Sequence, residues 1–112
     1  MSNVKDLASI QGAIAEFTFS PSGMVVESSV QDPDRLDANT LDLLGHVCVA
    51  NLAISNMQAR GWEQISEMKG FYPVEGFSFI GTNLSVVSRG AQAVVLDNEN
   101  ADYDAAFKAM GE

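Results

Sequence analysis

Apolar and polar positions along this chain change their period several times, and each change predicts an element. From Ala13 the period is two: Ala15, Phe17 and Phe19 point one way and Ile14, Glu16 and Thr18 the other, as a strand requires. Ser20-Pro21-Ser22-Gly23 then supplies a turn, because Pro21 presets φ and Gly23 can take φ > 0, and Met24 to Val30 returns as a second strand. Ahead of this hairpin, Asn3 can cap a short helix with Val4, Leu7, Ala8 and Ile10 as its apolar edge, stopped by Gln11-Gly12. Later in the chain, Pro73 marks Phe71 to Val74 as an edge or irregular stretch. A meander of three short strands follows: Phe77 and Phe79 alternating with Ser78 and Ile80, then Leu84 to Ser88, then Ala91 to Leu96, with turns at Gly81-Thr82-Asn83 and Arg89-Gly90. Asn98 or Asn100 caps a last helix that carries Tyr103, Phe107 and Met110 on one face and ends at Gly111.

Between hairpin and meander the period becomes helical. After a polar connection, Gln31 to Leu36, either Asp37 or Asn39 can cap a helix that runs to at least Arg60, about 35 Å at about 1.5 Å per residue. Gly61 can end or loosen it, although Trp62, Ile65 and Met68 continue the spacing and allow a further turn or two. No fixed charge falls between Asp42 and Arg60. Leu41, Leu44, Cys48, Leu52 and Ser55 form one stripe; Leu43, Val47, Ala50, Ile54 and Met57 form a second. A helix covering a core needs one apolar stripe a little over 100° wide. One stripe can therefore cover the chain's own core, and the other requires something else. Asn51, Ser55 and Asn56 interrupt the run; they reach solvent at a helix edge or bond locally, or Asn51 fixes register across a helix pair.

Composition narrows the classes. At 112 residues and 46% hydrophobic content, one compact domain over 1–112 is expected. The net charge of −9 repels phosphate backbones and acidic membrane surfaces, so neither nucleic acid nor membrane insertion is expected. The amino terminus has no apolar core for a secretory signal, and no run reaches the roughly 18 apolar residues of a membrane span. With Cys48 alone, an internal disulfide and a cysteine-based zinc site are ruled out, and a cytoplasmic location is expected.

Chemistry is sparse. His46 and Cys48 lie about 200° apart around a helix and cannot converge on one ion or act as nucleophile and base. Cys48 reads as a small buried filler and His46 as a residue on the helix margin or in an interface. Asp97 to Asp102 lacks the glycine of a calcium loop and has Lys108 where the bidentate glutamate belongs. No phosphate-binding glycine loop occurs. No metal, cofactor or catalytic residue is expected, and the chain reads as non-enzymatic. Phe71, Tyr72, Phe77 and Phe79 concentrate aromatic surface, part of it core and part a docking patch; Trp62 either packs under the helix end or anchors another protein.

The order helix, hairpin, long helix, meander, helix, with Ile10-Gln11-Gly12-Ala13-Ile14 leading into Phe19-Ser20-Pro21-Ser22-Gly23, resembles the roadblock (dynein light chain) family over nearly the whole chain. Further matching features are Cys48 in the long helix, Met68, Pro73, Gly76-Phe77, Gly81, Leu84-Ser85-Val86-Val87, Gly90, and Ala101-Asp102-Tyr103 ahead of Phe107-Lys108-Ala109-Met110. Within that superfamily the chain looks most like short prokaryotic roadblock-like proteins of unknown function. The resemblance implies an α+β, three-layer α/β/α fold, with a five-stranded antiparallel sheet, the long helix on one face and the two terminal helices on the other. It also implies a two-fold homodimer with long helices side by side and middle strands joined edge to edge, and a scaffolding role, often at small GTPases or motor complexes. The expected dimer interface comprises Val47, Asn51, Ile54, Met57, Phe77 and Phe79, and the candidate patch for an unidentified protein partner comprises Trp62, Phe71 and Tyr72. The alternative is a ligand-binding sensor or carrier with an apolar pocket between helix and sheet, lined by Cys48, Met57 and Met68.

Overall fold

The structure is a computed structural model that describes residues 4–111. Its elements are α1 (Val4–Leu7), β1 (Ala13–Phe19), β2 (Val25–Val30), α2 (Ala38–Ser66), β3 (Gly76–Ile80), β4 (Leu84–Arg89), β5 (Gln92–Asp97) and α3 (Tyr103–Ala109). The strands form one antiparallel sheet in the order β2-β1-β5-β4-β3. The expected element order and layers are all present.

Two apolar layers sandwich this sheet. Ala15, Phe17, Phe19, Val86, Ala93 and Val95 face α2 and pack with Leu41 and Cys48. Val87, Val94 and Leu96 face the other way and pack with Leu7 of α1, Ala106 of α3 and Met110 at the end of α3. Successive residues of a strand point to opposite faces, so Ala93 to Leu96 of the central strand β5 reads as an unbroken apolar run because both faces are covered. Polar side chains are also buried on the α1/α3 face: Gln92 donates from Nε2 to the Met110 carbonyl at 3.0 Å, and Glu16 is fully buried, with Oε1 accepting from Gln31 Nε2 at 2.9 Å.

The β1–β2 turn follows its sequence. Gly23 takes φ 89, and its N–H donates to the Ser20 carbonyl at 2.8 Å. Across from it, a Cβ on Gly45 would lie 2.5 Å from the Gly23 carbonyl oxygen, so the hairpin tip rests on bare α2 backbone. Glycine inside a helix costs roughly 0.5–1 kcal/mol relative to alanine, and here that cost admits the close approach.

Several local expectations are corrected. The β1 register shifts between Ala13 and Ala15, so Ile14 joins Ala15 and Phe17 in the α2-side core instead of pointing away from them. Asp37, and not Asn39, caps α2: its Oδ1 accepts from the Thr40 N–H and from Thr40 Oγ1, both at 2.9 Å. The helix runs through Gly61 to Ser66 and ends where Glu67 turns left-handed at φ 59. Asp102, not Asn98 or Asn100, caps α3 by accepting from the Ala105 N–H at 3.0 Å. Asn98 instead braces the β3–β4 turn, donating from Nδ2 to the Gly81 carbonyl at 2.8 Å. The expected Asn3 cap of the first helix lies outside the described residues.

Candidate functional site

The stripes of α2 separate as their spacing predicts. Leu41 and Cys48 are 1% exposed and Leu44 and Leu52 are half-buried, whereas Leu43 is 65%, Ile54 54% and Met57 71% exposed. Val47 and Asn51 are half-buried and Ala50 is exposed on the same outer side. Because the helix continues past Gly61, this apolar face also continues, to Trp62 at 61% and Ile65 at 83% exposure. Trp62 therefore does not pack under the helix end.

The sheet edge on the β3 side is open. In β3 the register against β4 is regular, the strand Gly76–Ile80 carries no charge, and Phe79 and Ile80 are exposed. The opposite edge is blunted: the β1–β2 register shifts between Thr18 and Phe19, leaving Val26 bulged, and Glu27 follows it. Proteins bulge or charge edge strands to stop them pairing, and only β2 shows these devices. Phe77, expected in the interface, packs partly buried against the α2-side core, because it follows the inward face of its strand.

Polar α2 residues hold the loop between α2 and β3. Glu63 Oε2 accepts the backbone N–H groups of Gly70, Phe71 and Tyr72, each at 3.0 Å, and those amides, Tyr72 first, hold its carboxyl below the usual range. Asn56 Oδ1 accepts the Val74 N–H at 2.8 Å. Arg60 donates to the Tyr72 hydroxyl at 2.6 Å, and its guanidinium lies 4.4 Å from the ring centroid. Phe71 and Tyr72 are thus presented, partly exposed, from a pinned loop beside Trp62's helix. Glu63 and Arg60 escape a reading of the sequence because their partners lie across a loop, with no local spacing to announce them.

The remaining candidates carry no convergent chemistry. Cys48 is buried, and desolvation pushes its thiol up to about 11. His46 is exposed, and its Nδ1 donates to the Asp42 carbonyl at 2.8 Å. Asp97 is paired with Arg35 at 2.9 Å, which holds its carboxyl below the usual range. Among the described residues no group of three or more His, Cys, Asp or Glu side chains could hold a metal ion, and no helix is long and apolar enough to cross a membrane. An apolar groove of about 380 Å³ does lie between α2 and the sheet end, lined by Phe19, Pro21, Val49, Leu52, Ala53 and Ala91 among others. The expected lining is corrected: Cys48 is packed in the core, and Met57 and Met68 are on the surface.

Residues 3–112 match the family described as "Uncharacterized conserved protein (DUF2173)". The gliding protein mglB from Thermus thermophilus superposes with a TM-score of 0.72 at 15% identity, over 97% of this chain and 80% of that one. The Roadblock/LC7 domain from Streptomyces avermitilis gives 0.71 at 13% identity, over 96% and 83%. An MglB with tetrameric arrangement gives 0.70 at 13% identity, over 96% and 76%. The comparison with curated proteins returns no match. At these identities the likeness carries the fold, and the fold is that of roadblock domains.

Proposed function

This chain belongs to the DUF2173 family, and from that premise and its roadblock fold we propose that it is a homodimeric, non-enzymatic scaffold that binds another protein. The observation that carries the reading is the second apolar stripe of α2, Leu43 to Met57, lying outside the core in a chain whose β3 edge is open and uncharged. An aliphatic face this long is rarely left to water, and a two-fold pairing covers it with a copy of itself. The interface is assigned to Val47, Asn51, Ile54 and Met57 of α2 and to Phe79 on β3, with Phe77 supporting it from beneath. A structural relative with a tetrameric arrangement supports assembly on this fold.

The surface left to a partner is the Trp62, Phe71 and Tyr72 patch, in which two aromatics are braced by Arg60 and Glu63. Tryptophan and tyrosine are over-represented where proteins dock. Roadblock domains serve at small GTPases, and a small GTPase or a component of a metabolic complex is the partner class assigned to this patch. The location assigned is the cytoplasm, and 1–112 is taken as a single domain. Absolute mass by light scattering over a dilution series tests the dimer, and a monomer at every concentration would sink it.

The groove beside Phe19 and Leu52 favours one second reading, in which a small apolar ligand occupies it. Native mass spectrometry after gentle purification decides this: a protein that always flies without added mass rejects it.

A further inference from the structure

We infer that α1 is a proton-held flap: with Glu16 protonated, Val4–Leu7 lies closed over β1 and β2, and ionisation of that carboxyl swings the segment outward ahead of Gln11. The flap stands apart from the dimer and partner readings.

Glu16 lies opposite Ser29 of β2 and Val94 of β5. On this face α1 packs across β1 and β2 while α3 packs on β4, so α1 is the cover over the carboxyl. Beneath it Glu16 is fully buried; Oε1 accepts from Gln31 Nε2, and Oε2 has no hydrogen-bond partner. Protonated, the group buries one unmet polar atom; ionised, it buries a charge, which costs far more unless an opposite charge meets it. None does. Lys5 and Asp6 of α1, Glu27 of β2 and Asp104 and Lys108 of α3 are all exposed, and Asp97 at the end of β5 pairs with Arg35. Water already reaches the seam: Val4 and Lys5 of α1 and Glu27, Ser28 and Ser29 of β2 bound a hollow of about 390 Å³.

Of the elements around Glu16, α1 is the one free to move. Backbone ladders bind β2 and β5 to β1. The buried side chains Val4 and Leu7 dock α1, and the turns after it close within the segment, Ala8 donating to the Lys5 carbonyl at 3.2 Å, Ser9 to Asp6 at 3.3 Å and Ile10 to Leu7 at 3.1 Å. Just beyond, the chain is fastened: Gln11 Nε2 donates to the Asn100 carbonyl and the Gly12 carbonyl accepts the Asp97 N–H, both at 2.9 Å. Burial raises the Glu16 carboxyl above its ordinary 4.5, against hydrogen bonds from Gln31 and Ser29. The closed form therefore holds the proton more tightly than the open one. Opening becomes easier as pH rises from 4.5 to the raised value and no easier above it.

Hydrogen exchange on the full chain, corrected for the intrinsic pH dependence of each amide, tests this. Protection at Ala8, Ser9 and Ile10 should fall by up to tenfold for each pH unit across that window and then level off. Protection at Val94 and Val95 should hold, and in Glu16→Gln the first three amides should show no such fall. The Glu16 carboxyl carbon, followed by NMR in the parent chain, should titrate where the fall levels off, a readout that does not need the variant to fold. Constant protection at the three amides, an equal fall at Val94 and Val95, the same fall in Glu16→Gln, or a carboxyl titrating elsewhere would each overturn the flap.

Discussion

Glu63 ties Tyr72 to the long helix: its Oε2 accepts the Tyr72 backbone N–H at 3.0 Å, and the same oxygen takes the amides of Phe71 and Gly70. A single carboxylate thus orders the loop that offers two aromatic side chains to solvent. Glu63→Ala is expected to speed hydrogen exchange at those three amides by roughly tenfold or more, since each loses its acceptor. Acid should act likewise, because the carboxyl is depressed in the folded chain and the contribution is lost as pH falls through that lowered value. Unchanged exchange in the variant would mean that Asn56 and Arg60 hold the loop without it.

Ile54→Asp separates assembly from folding. Ile54 is 54% exposed and lies outside both cores, so the fold should survive with its circular dichroism unaltered while the mass in solution drops to that of one chain. Leu41→Ala should do the reverse, costing roughly 2–5 kcal/mol of stability through the cavity left under α2. A dimer that persists in Ile54→Asp would remove Ile54 from the interface.

Glu16 gives stability a pH dependence of the less usual sign. Burial raises its carboxyl above the ordinary 4.5, against the smaller opposing effects of hydrogen bonds from Gln31 and Ser29, and Oε2 has no hydrogen-bond partner. Above that ordinary value the folded chain holds the proton more tightly than the unfolded one. Its contribution is therefore complete in acid and is lost as pH rises through the raised value. Denaturant titrations should show this decline for the parent chain and a flatter profile for Glu16→Gln; parallel profiles would place the dependence elsewhere.

Cys48 should resist thiol reagents in the native state. The thiol is 1% exposed and its ionisation is pushed up to about 11, so labelling near neutral pH should follow the unfolded population and accelerate with denaturant. Rapid labelling without denaturant would show that α2 lifts from the sheet.

The elements and the hairpin were legible because period and turn chemistry are local properties, whereas the layers came from the family resemblance. Phe17 and Phe19 point inward by alternation, and Gly23 turns because the residue allows it. The two-sided character of α2 was legible for the same reason, since a helix fixes which residues share a face. What escaped the sequence depends on contacts between distant segments. Ile14 changes sides because of a register shift, a property of the β1–β5 pair and not of either strand. Gly61 is tolerated inside α2, although its backbone freedom reads as a stop. Asp102 wins the cap of α3 from Asn98 because Asn98 is engaged at the β3–β4 turn. Asn56 was legible as a break in the apolar run, but its partner Val74 was not.

The unequal edges of the sheet set a limit on growth. A strand with a bulge at Val26 and a charge at Glu27 offers no regular ladder to a newcomer, while Gly76–Ile80 does. Addition through β3 consumes the one inviting edge of each molecule and exposes only bulged ones. Such a chain closes on itself after a single partnership. Its particles should keep one size as concentration rises, with no tendency to form ribbons or fibres.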